Sequence, residues 1–308
     1  MKLRYSVLIP AYQTATTIKR CLDSILNQKG NYEVILINDG STDNLEDVLE
    51  DYKGKISYYK QKNKGLAVTR NELIKKAKGD YLLFVDADDY IKCGFFESMD
   101  KILDKYKDID IVSFGIELVD RSLKNVSYML KPSSNGIISG EELFVKYVSS
   151  GSTFEAPVGY IYRKSYFIDN KFQYSSGHNH EDYGLTPLVL VYAKKTISLN
   201  DSFYCYVQTE SSITRGCDSF KLKKNAYDML YHFDNLKSKI DNDNKLSDIT
   251  KKYFYSFLAN SLLIKVKTLS GKDYVEFKQE IKKRKISSML LDDTMKRKIK
   301  KFLVMMKY

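Results

Sequence analysis

Residues 5–49 read YSVLIPAYQTATTIKRCLDSILNQKGNYEVILINDGSTDNLEDVL, and this stretch decides the fold. Tyr5 to Pro10 is an apolar, β-rich run. Behind it, Ile18, Cys21, Leu22, Ile25 and Leu26 recur on one helical face, with Thr16 or Thr17 placed to cap the helix. Tyr32 to Ile37 repeats the apolar run, the turn-rich Asn38 to Asp43 follows, and Leu45, Val48, Leu49 and Tyr52 share a face of a second helix. Two βα units in succession are the pattern of an α/β domain with a mostly parallel sheet and flanking helices.

The alternation continues outward. Ile56 to Gln61 reads as a third strand, Gly65 to Ala77 as a third helix with Gly79 as its C-terminal stop, and Asp80 to Val85 as a fourth strand buried on both faces. That strand ends in Asp86-Ala87-Asp88-Asp89. Further on, Asp110 to Val119, Gly159 to Arg163, Thr196 to Leu199 and Ser202 to Val207 read as strands, and Asp182 to Ala193 as a helix. From about Asp218 the chain lacks Pro, has few Gly and predicts three or four helices.

Of the 308 residues 43% are hydrophobic and 29% charged, and no apolar run approaches the roughly 20 residues that span a bilayer. The first residues, Met1 to Tyr5, run into a strand and carry no apolar leader, so a cytoplasmic protein is expected. Cys21, Cys93, Cys205 and Cys217 form no C-x-x-C pair and only three histidines are present. Neither a disulfide framework nor a zinc site is indicated. Residues 281–308 hold ten Lys or Arg against two Asp, so eight of the eleven net positive charges sit in this tail.

In an open α/β sheet, ligands bind outside the carboxyl ends of the strands. Three polar clusters occupy such ends: Pro10-Ala11-Tyr12, Asn38 to Asp43, and Asp86 to Asp89. They line one crevice. Three carboxylates in four residues repel one another unless a cation neutralises them, and a hard divalent ion, Mn²⁺ or Mg²⁺, with phosphate oxygens does so. A solvated acidic loop has the same letters; the place at the end of an apolar strand favours the metal. Asn38 to Asp43 also suits a turn with Thr42 or Asp43 capping the next helix, while Asp39 is suited to a nucleobase or ribose and Tyr12 to lying beside a base.

The ordered series SVLIPAYQ, NDGSTD, NKGLAVTRN and FVDADD, with HEDYG further on, resembles the inverting family 2 of glycosyltransferases, which have the GT-A fold, over roughly residues 1–215. The resemblance implies a catalytic domain over residues 1–217, with a nucleotide-sugar half (1–120) and an acceptor half (121–217), followed by a helical region over 218–308. It implies that Pro10, Ala11, Tyr12 and Asp39 hold the uracil and ribose of a UDP-sugar, and that Asn63, Gly65 and Arg70 shape the nucleotide pocket. Asp86 and Asp88 become the ribose-diphosphate and metal contacts, with Asp88 the direct ligand. Gln13 stands where the family commonly has Asn.

In the same family an E-D pair at a helix start supplies the general base, which implies Asp182 with Glu181 beside it. Charge complementing a helix N-terminus is the alternative for both. An inverting transfer is a single displacement, so one carboxylate must accept the proton of the attacking hydroxyl. Ser212, Thr214 and Arg215 resemble the segment that closes over the donor diphosphate. Bacterial members of this layout build capsular or other surface polysaccharides, often on an oligosaccharide or lipid-linked glycan acceptor.

The competing readings are a nucleotidyltransferase, which would want a Gly-rich phosphate loop where this chain has PAYQTAT, and a catalytically silent carbohydrate-binding subunit. A dinucleotide oxidoreductase lacks its G-x-G-x-x-G. In the tail, Met295, Ile299, Phe302, Leu303 and Met306 recur at helical spacing among Lys and Arg. This basic amphipathic helix either packs on the domain with a solvated lysine face or lies on an anionic membrane. No stacking platform for nucleic acid accompanies it.

Overall fold

The computed structural model describes residues 3–133, 136–208 and 218–308. Four strands, β1 (Tyr5–Ala11), β2 (Tyr32–Asn38), β3 (Ser57–Lys60) and β4 (Tyr81–Phe84), pair in parallel in the order β3-β2-β1-β4. Every residue of β1 is buried, because neighbours flank it on both edges and helices cover both faces. The sheet continues from β4 through five more strands, β5 (Tyr90–Ile91), β6 (Ile111–Val119), β7 (Asn125–Leu130), β8 (Tyr160–Arg163) and β9 (Thr196–Val207). Their order is β4-β8-β6-β9-β5, with β7 beside β6. Within this half β6 and β9 are parallel, and β8, β5 and β7 join antiparallel.

The fold is of the GT-A type, an α/β sheet with flanking helices and a helical C-terminal region. Helix α1 (Ile18–Leu26) buries Ile18, Cys21, Leu22 and Ile25, the stripe expected from its spacing. Helix α2 (Leu45–Leu49) is short and tightens into a 3-10 turn that buries Tyr52. Helix α3 (Leu66–Lys76) follows Gly65, and α4 (Phe95–Lys105) packs Phe95, Phe96 and Met99 beneath the sheet.

Several local signals have a different use from the one their letters suggest. Thr17 precedes α1 without capping it; its hydroxyl donates to the Ala87 carbonyl at 3.0 Å and so ties α1 to the acidic loop. Thr42 and Asp43 do not cap α2 either. Thr42 accepts from the Gln13 amide at 2.7 Å and Asp43 from the Ala15 N–H at 2.8 Å, stitching two loops together. Gly79 is not a left-handed helix stop: a Cβ there would lie 2.5 Å from the Tyr5 carbonyl carbon, so glycine lets β1 pass. The two strands read around Asn200-Asp201 are one strand, β9, whose exposed polar pair is absorbed by register shifts opposite Ser113 to Ile116.

Three helices complete the middle of the chain: α5 (Gly140–Ser150), α6 (Lys164–Asp169) and α7 (Thr186–Val191). Helix α5 opens with a reciprocal capping box between Ser139 and Glu142. Helix α7 is shorter than the run from Asp182 predicts: Asp182 to Leu185 are turns, and the helix begins at Thr186 with Pro187 in its first turn. Four helices follow, α8 (Ser219–Asp241), α9 (Asp248–Val266), α10 (Gly271–Lys283) and α11 (Met295–Lys307). Phe144 of α5 stacks on Phe254 of α9 at 5.0 Å, and Phe154 meets Phe257 at 5.0 Å, so the helical region shares core with the sheet. Among the described residues no helix is long and apolar enough to cross a membrane.

Candidate active site

The carboxyl ends of β1, β2 and β4 bring the three polar clusters together. Pro10 and Ala11 are the last, buried residues of β1, and Tyr12 beyond them exposes 48% of its surface. Gln13 adopts a left-handed backbone, φ 55°, which a β-unbranched but bulky side chain accepts at some cost and Asn accepts more readily. Its N–H donates to the Ser41 hydroxyl at 3.0 Å, which fixes the turn beside Tyr12.

Asp39 is almost fully buried, and its carboxylate fastens the third motif. It accepts from the N–H groups of Lys64 and Gly65, each at 2.9 Å, and from the Gln61 amide at 2.8 Å. Gly65 turns there with φ 86°, and Gly40 is needed because a Cβ on it would lie 2.7 Å from the Asn63 nitrogen. Asn63 is exposed on the loop so held. The motif therefore acts on the pocket through Asp39 as much as through its own side chains.

Arg70 of α3 is the hub. It is 3% exposed, and one guanidinium nitrogen donates to Glu181 Oε1 at 2.6 Å while the other donates to Asp86 Oδ1 at 3.0 Å. Its Cζ lies 5.6 Å from the centre of the Tyr174 ring. Asn71, the next residue, exchanges two hydrogen bonds with the Tyr174 backbone, at 2.8 and 2.9 Å, and holds that ring in place. Thus one cation links the acidic turn after β4 to the E-D pair.

The acidic turn separates into three roles. Asp89 points inward, accepting from the Tyr204 hydroxyl at 2.7 Å and the Val207 N–H at 2.8 Å, and so joins the turn to β9. Asp86 pairs with Arg70. Asp88 receives its own backbone N–H, and its carboxyl is pushed up to about 6 by burial and by the charge of Asp86. Arg20 donates to the Asp88 carbonyl and fixes the backbone there.

Among the described residues no cluster of three or more His, Cys, Asp or Glu side chains is arranged to hold a metal. The fit is narrower: the neighbouring carboxylates Asp86 and Asp88, close enough that the charge of one raises the pKa of the other, are a partial oxygen shell that diphosphate oxygens and water can complete around Mg²⁺ or Mn²⁺.

The E-D pair is divided in the same way. Glu181 is taken up by Arg70, and burial nonetheless pushes its carboxyl up to about 7. Among the described residues Asp182 has no ion pair within hydrogen-bond distance; its Oδ1 accepts the Tyr183 N–H at 2.7 Å, and burial raises its pKa above the ordinary carboxylate range. His180 precedes them with φ 61°, a left-handed backbone that a non-glycine residue adopts at some cost.

Helix α8 supports this turn from behind. Asp228 accepts from the Asn179 N–H at 2.9 Å and meets His178 Nδ1 at 3.1 Å, and His232 Nε2 lies 3.0 Å from the Asn179 carbonyl. Gly184 is required by this packing, since a Cβ would lie 2.3 Å from His232 Nδ1. Glu155, in no motif, lies within the field of Asp182, and burial with that like charge pushes its carboxyl up to about 7. Gln61, Tyr174, Asp228 and Glu155 carry no signal in the sequence beyond their polarity. Ser212, Thr214 and Arg215 lie outside the described residues.

Comparison with known proteins gives this arrangement a family. The model described as "Glycosyl transferase family 2" matches residues 6–169, more than half of the chain. Glycosyltransferase GlyG of Streptococcus pneumoniae is 29% identical over 224 residues, covering 68% of this chain and 72% of that protein. Glycosyltransferase GlyA of the same organism is 28% identical over 223 residues, 69% of this chain, which spans only 32% of that longer protein. The poly(ribitol-phosphate) beta-glucosyltransferase of Bacillus spizizenii is 42% identical over 97 residues, 29% of this chain and 15% of that protein.

Among solved structures, S. aureus TarS 1–349 in complex with UDP-GlcNAc aligns with TM-score 0.58 at 18% identity, covering 94% of this chain and 84% of that one. The Pyrobaculum calidifontis mannosyltransferase PcManGT, in complex with GDP-Man and Mn²⁺, aligns with TM-score 0.56 at 14% identity, covering 91% and 75%. These two likenesses establish the fold. From the sequence match over the strands and loops that carry Asp39, Arg70, Asp86 and Asp88, the chain belongs to glycosyl transferase family 2.

Proposed function

We propose that the chain is an inverting glycosyltransferase that moves a sugar from a UDP-sugar to a carbohydrate acceptor in the synthesis of a bacterial surface polymer, capsular polysaccharide included. The observation that carries this reading is the pair of ionic hydrogen bonds from Arg70 to Asp86 and Glu181, which leaves Asp182 without an ion pair among the described residues beside a nucleotide-side carboxylate cluster. The UDP-GlcNAc held by TarS and the ribitol-phosphate polymer named for the Bacillus relative support a UDP-linked donor and a glycan or polyol-phosphate acceptor.

In this reading Tyr12 lies against the uracil, Asp39 holds the Asn63–Gly65 loop against the nucleoside, and Pro10 and Ala11 set the depth of the pocket. Asp88 and Asp86 hold the divalent cation, which when bound offsets the charge of the diphosphate. The Mn²⁺ in the PcManGT complex supports a divalent cation in this reading. Ser212, Thr214 and Arg215 are assigned to the diphosphate by resemblance alone.

Asp182 accepts the proton of the acceptor hydroxyl as that oxygen bonds to the anomeric carbon and the bond to the diphosphate breaks. Burial makes Asp182 a stronger base than an exposed carboxylate, which suits this step. Glu181 fixes Arg70, and Arg70 fixes Asp86, so base and donor keep their separation. The enzyme works in the cytoplasm, peripheral to the membrane that carries a lipid-linked acceptor.

Calorimetric titration with UDP and GDP, in Mn²⁺ and in EDTA, tests the reading. UDP should bind more tightly than GDP, and at least about tenfold more tightly with Mn²⁺ than without. Equal affinity in EDTA removes the metal, and preference for GDP removes the UDP donor.

A further inference from the structure

Helix α11 sits on the protein by its cationic side. Arg297 bonds both carboxylate oxygens of Asp293, at 2.8 and 2.7 Å. Lys300 reaches the Asn260 amide oxygen at 2.8 Å, and Lys301 reaches Asp292 at 3.1 Å. Val304 and Tyr308 pack against the core on that same side. The opposite side carries the apolar residues, and they are exposed: Met295 73%, Phe302 64% and Met306 72%, with Ile299 and Leu303 between them.

At about 3.6 residues per turn these five residues form one stripe along the helix. Lys296 and Lys307 flank it on one side and Lys298 on the other, all three exposed, and no acidic residue occurs in Met295–Lys307. An apolar stripe between rows of lysine fits a surface that is apolar in its depth and anionic at its rim. A second copy of this chain does not fit, because a two-fold pairing of the stripes would bring the lysine rows of both copies together.

We propose that the outer face of α11 is a docking surface for an anionic lipid bilayer, with the helix lying in the membrane plane. The apolar residues enter the acyl boundary and Lys296, Lys298 and Lys307 meet the headgroups. The proposal deepens the reading of a membrane-borne acceptor and rests on it only for the presence of lipid near the enzyme. Arg297 and Lys300 also line a cavity of about 430 Å³ whose other wall includes Glu155.

The chain contains no tryptophan, so Phe302→Trp places one reporter on the stripe. The full-length variant is mixed with vesicles of phosphatidylglycerol and phosphatidylcholine in equal parts, and with phosphatidylcholine alone. Its emission should shift to the blue and be quenched by brominated acyl chains with the anionic vesicles only. In co-sedimentation, Ile299→Gln with Phe302→Gln should weaken binding at least about tenfold, and neutralising each flanking lysine about fivefold. Hydrolysis of a soluble donor and the thermal midpoint should not change in these variants, which separates this proposal from the catalytic one. An unshifted tryptophan, or binding that survives loss of the stripe, overturns it. So does a concentration-dependent dimer that the stripe variant abolishes while lipid binding is absent.

Discussion

Replacing Arg70 with Met keeps the length of the side chain and removes its charge, which leaves Asp86 and Glu181 facing each other's field without a counterion. The wild-type contacts are 2.6 Å to Glu181 and 3.0 Å to Asp86 around a guanidinium that is 3% exposed. Breaking one side of a buried pair costs about 3–5 kcal/mol, because the abandoned charge stays desolvated.

The cost must depend on pH, and its sign follows from Glu181. Burial raises that carboxyl from 4.5 to about 7 although Arg70 pulls it down. A raised folded-state value means that the native state holds the proton more tightly than the unfolded chain. The stability it contributes is complete below the unfolded value and is lost as pH rises through the folded one. Without Arg70 the folded value rises further, so loss of stability with rising pH becomes steeper. Urea unfolding followed by circular dichroism should show Arg70→Met weaker than wild type by about 3–5 kcal/mol near pH 8, and by less than half of that near pH 5. Arg70→Lys should fall between. A deficit under about 1 kcal/mol, or one that is the same at both pH values, would refute the role of Arg70 as counterion to the two carboxylates.

Two further perturbations test the scaffold around the site. Gly184→Ala should cost about 1–3 kcal/mol by overpacking against His232 and should lower turnover, since the turn bearing Asp182 must shift; an unchanged unfolding midpoint would show that His232 yields freely. Asp39→Asn puts an amide where two backbone N–H groups donate, so it should release the Lys62–Gly65 loop, speed tryptic cleavage after Lys62 and Lys64, and weaken UDP binding together. Faster cleavage with unchanged UDP affinity would separate that loop from the nucleotide pocket.

The parts of this fold that could be read from the sequence are those where one local property decides. β1, β2 and β4 are apolar because both faces are covered, and their carboxyl ends therefore mark the crevice with Pro10, Asp39 and Asp86. The spacing of Ile18, Cys21, Leu22 and Ile25 likewise admits only one buried face. Letters with two uses misled. Thr17, Thr42 and Asp43 have the chemistry of helix caps, and the same oxygens instead close loop-to-loop contacts with Ala87, Gln13 and Ala15. Gly79 suits a helix stop or a close strand crossing equally, and only the approach of Tyr5 decides.

Contacts distant in sequence left no trace at all. Arg70 and Glu181 are 111 residues apart, and Asn179 and Asp228 are 49 apart. Neither separation has a period that a sequence could display. The division of the E-D pair into an ion-paired Glu181 and an Asp182 unpaired among the described residues is of this kind, because it depends on where Arg70 ends.

That division is also the most direct test of the account. Turnover of a UDP-sugar at saturating donor with Mn²⁺ should be compared between Asp182→Asn and Glu181→Gln, with donor affinity measured alongside. Asp182→Asn should lower turnover by at least about 10²-fold with donor affinity nearly intact, as loss of a general base does, and Glu181→Gln should lower it less. Full turnover in Asp182→Asn, or the larger loss in Glu181→Gln, would contradict the assignment of the unpaired carboxylate as the base.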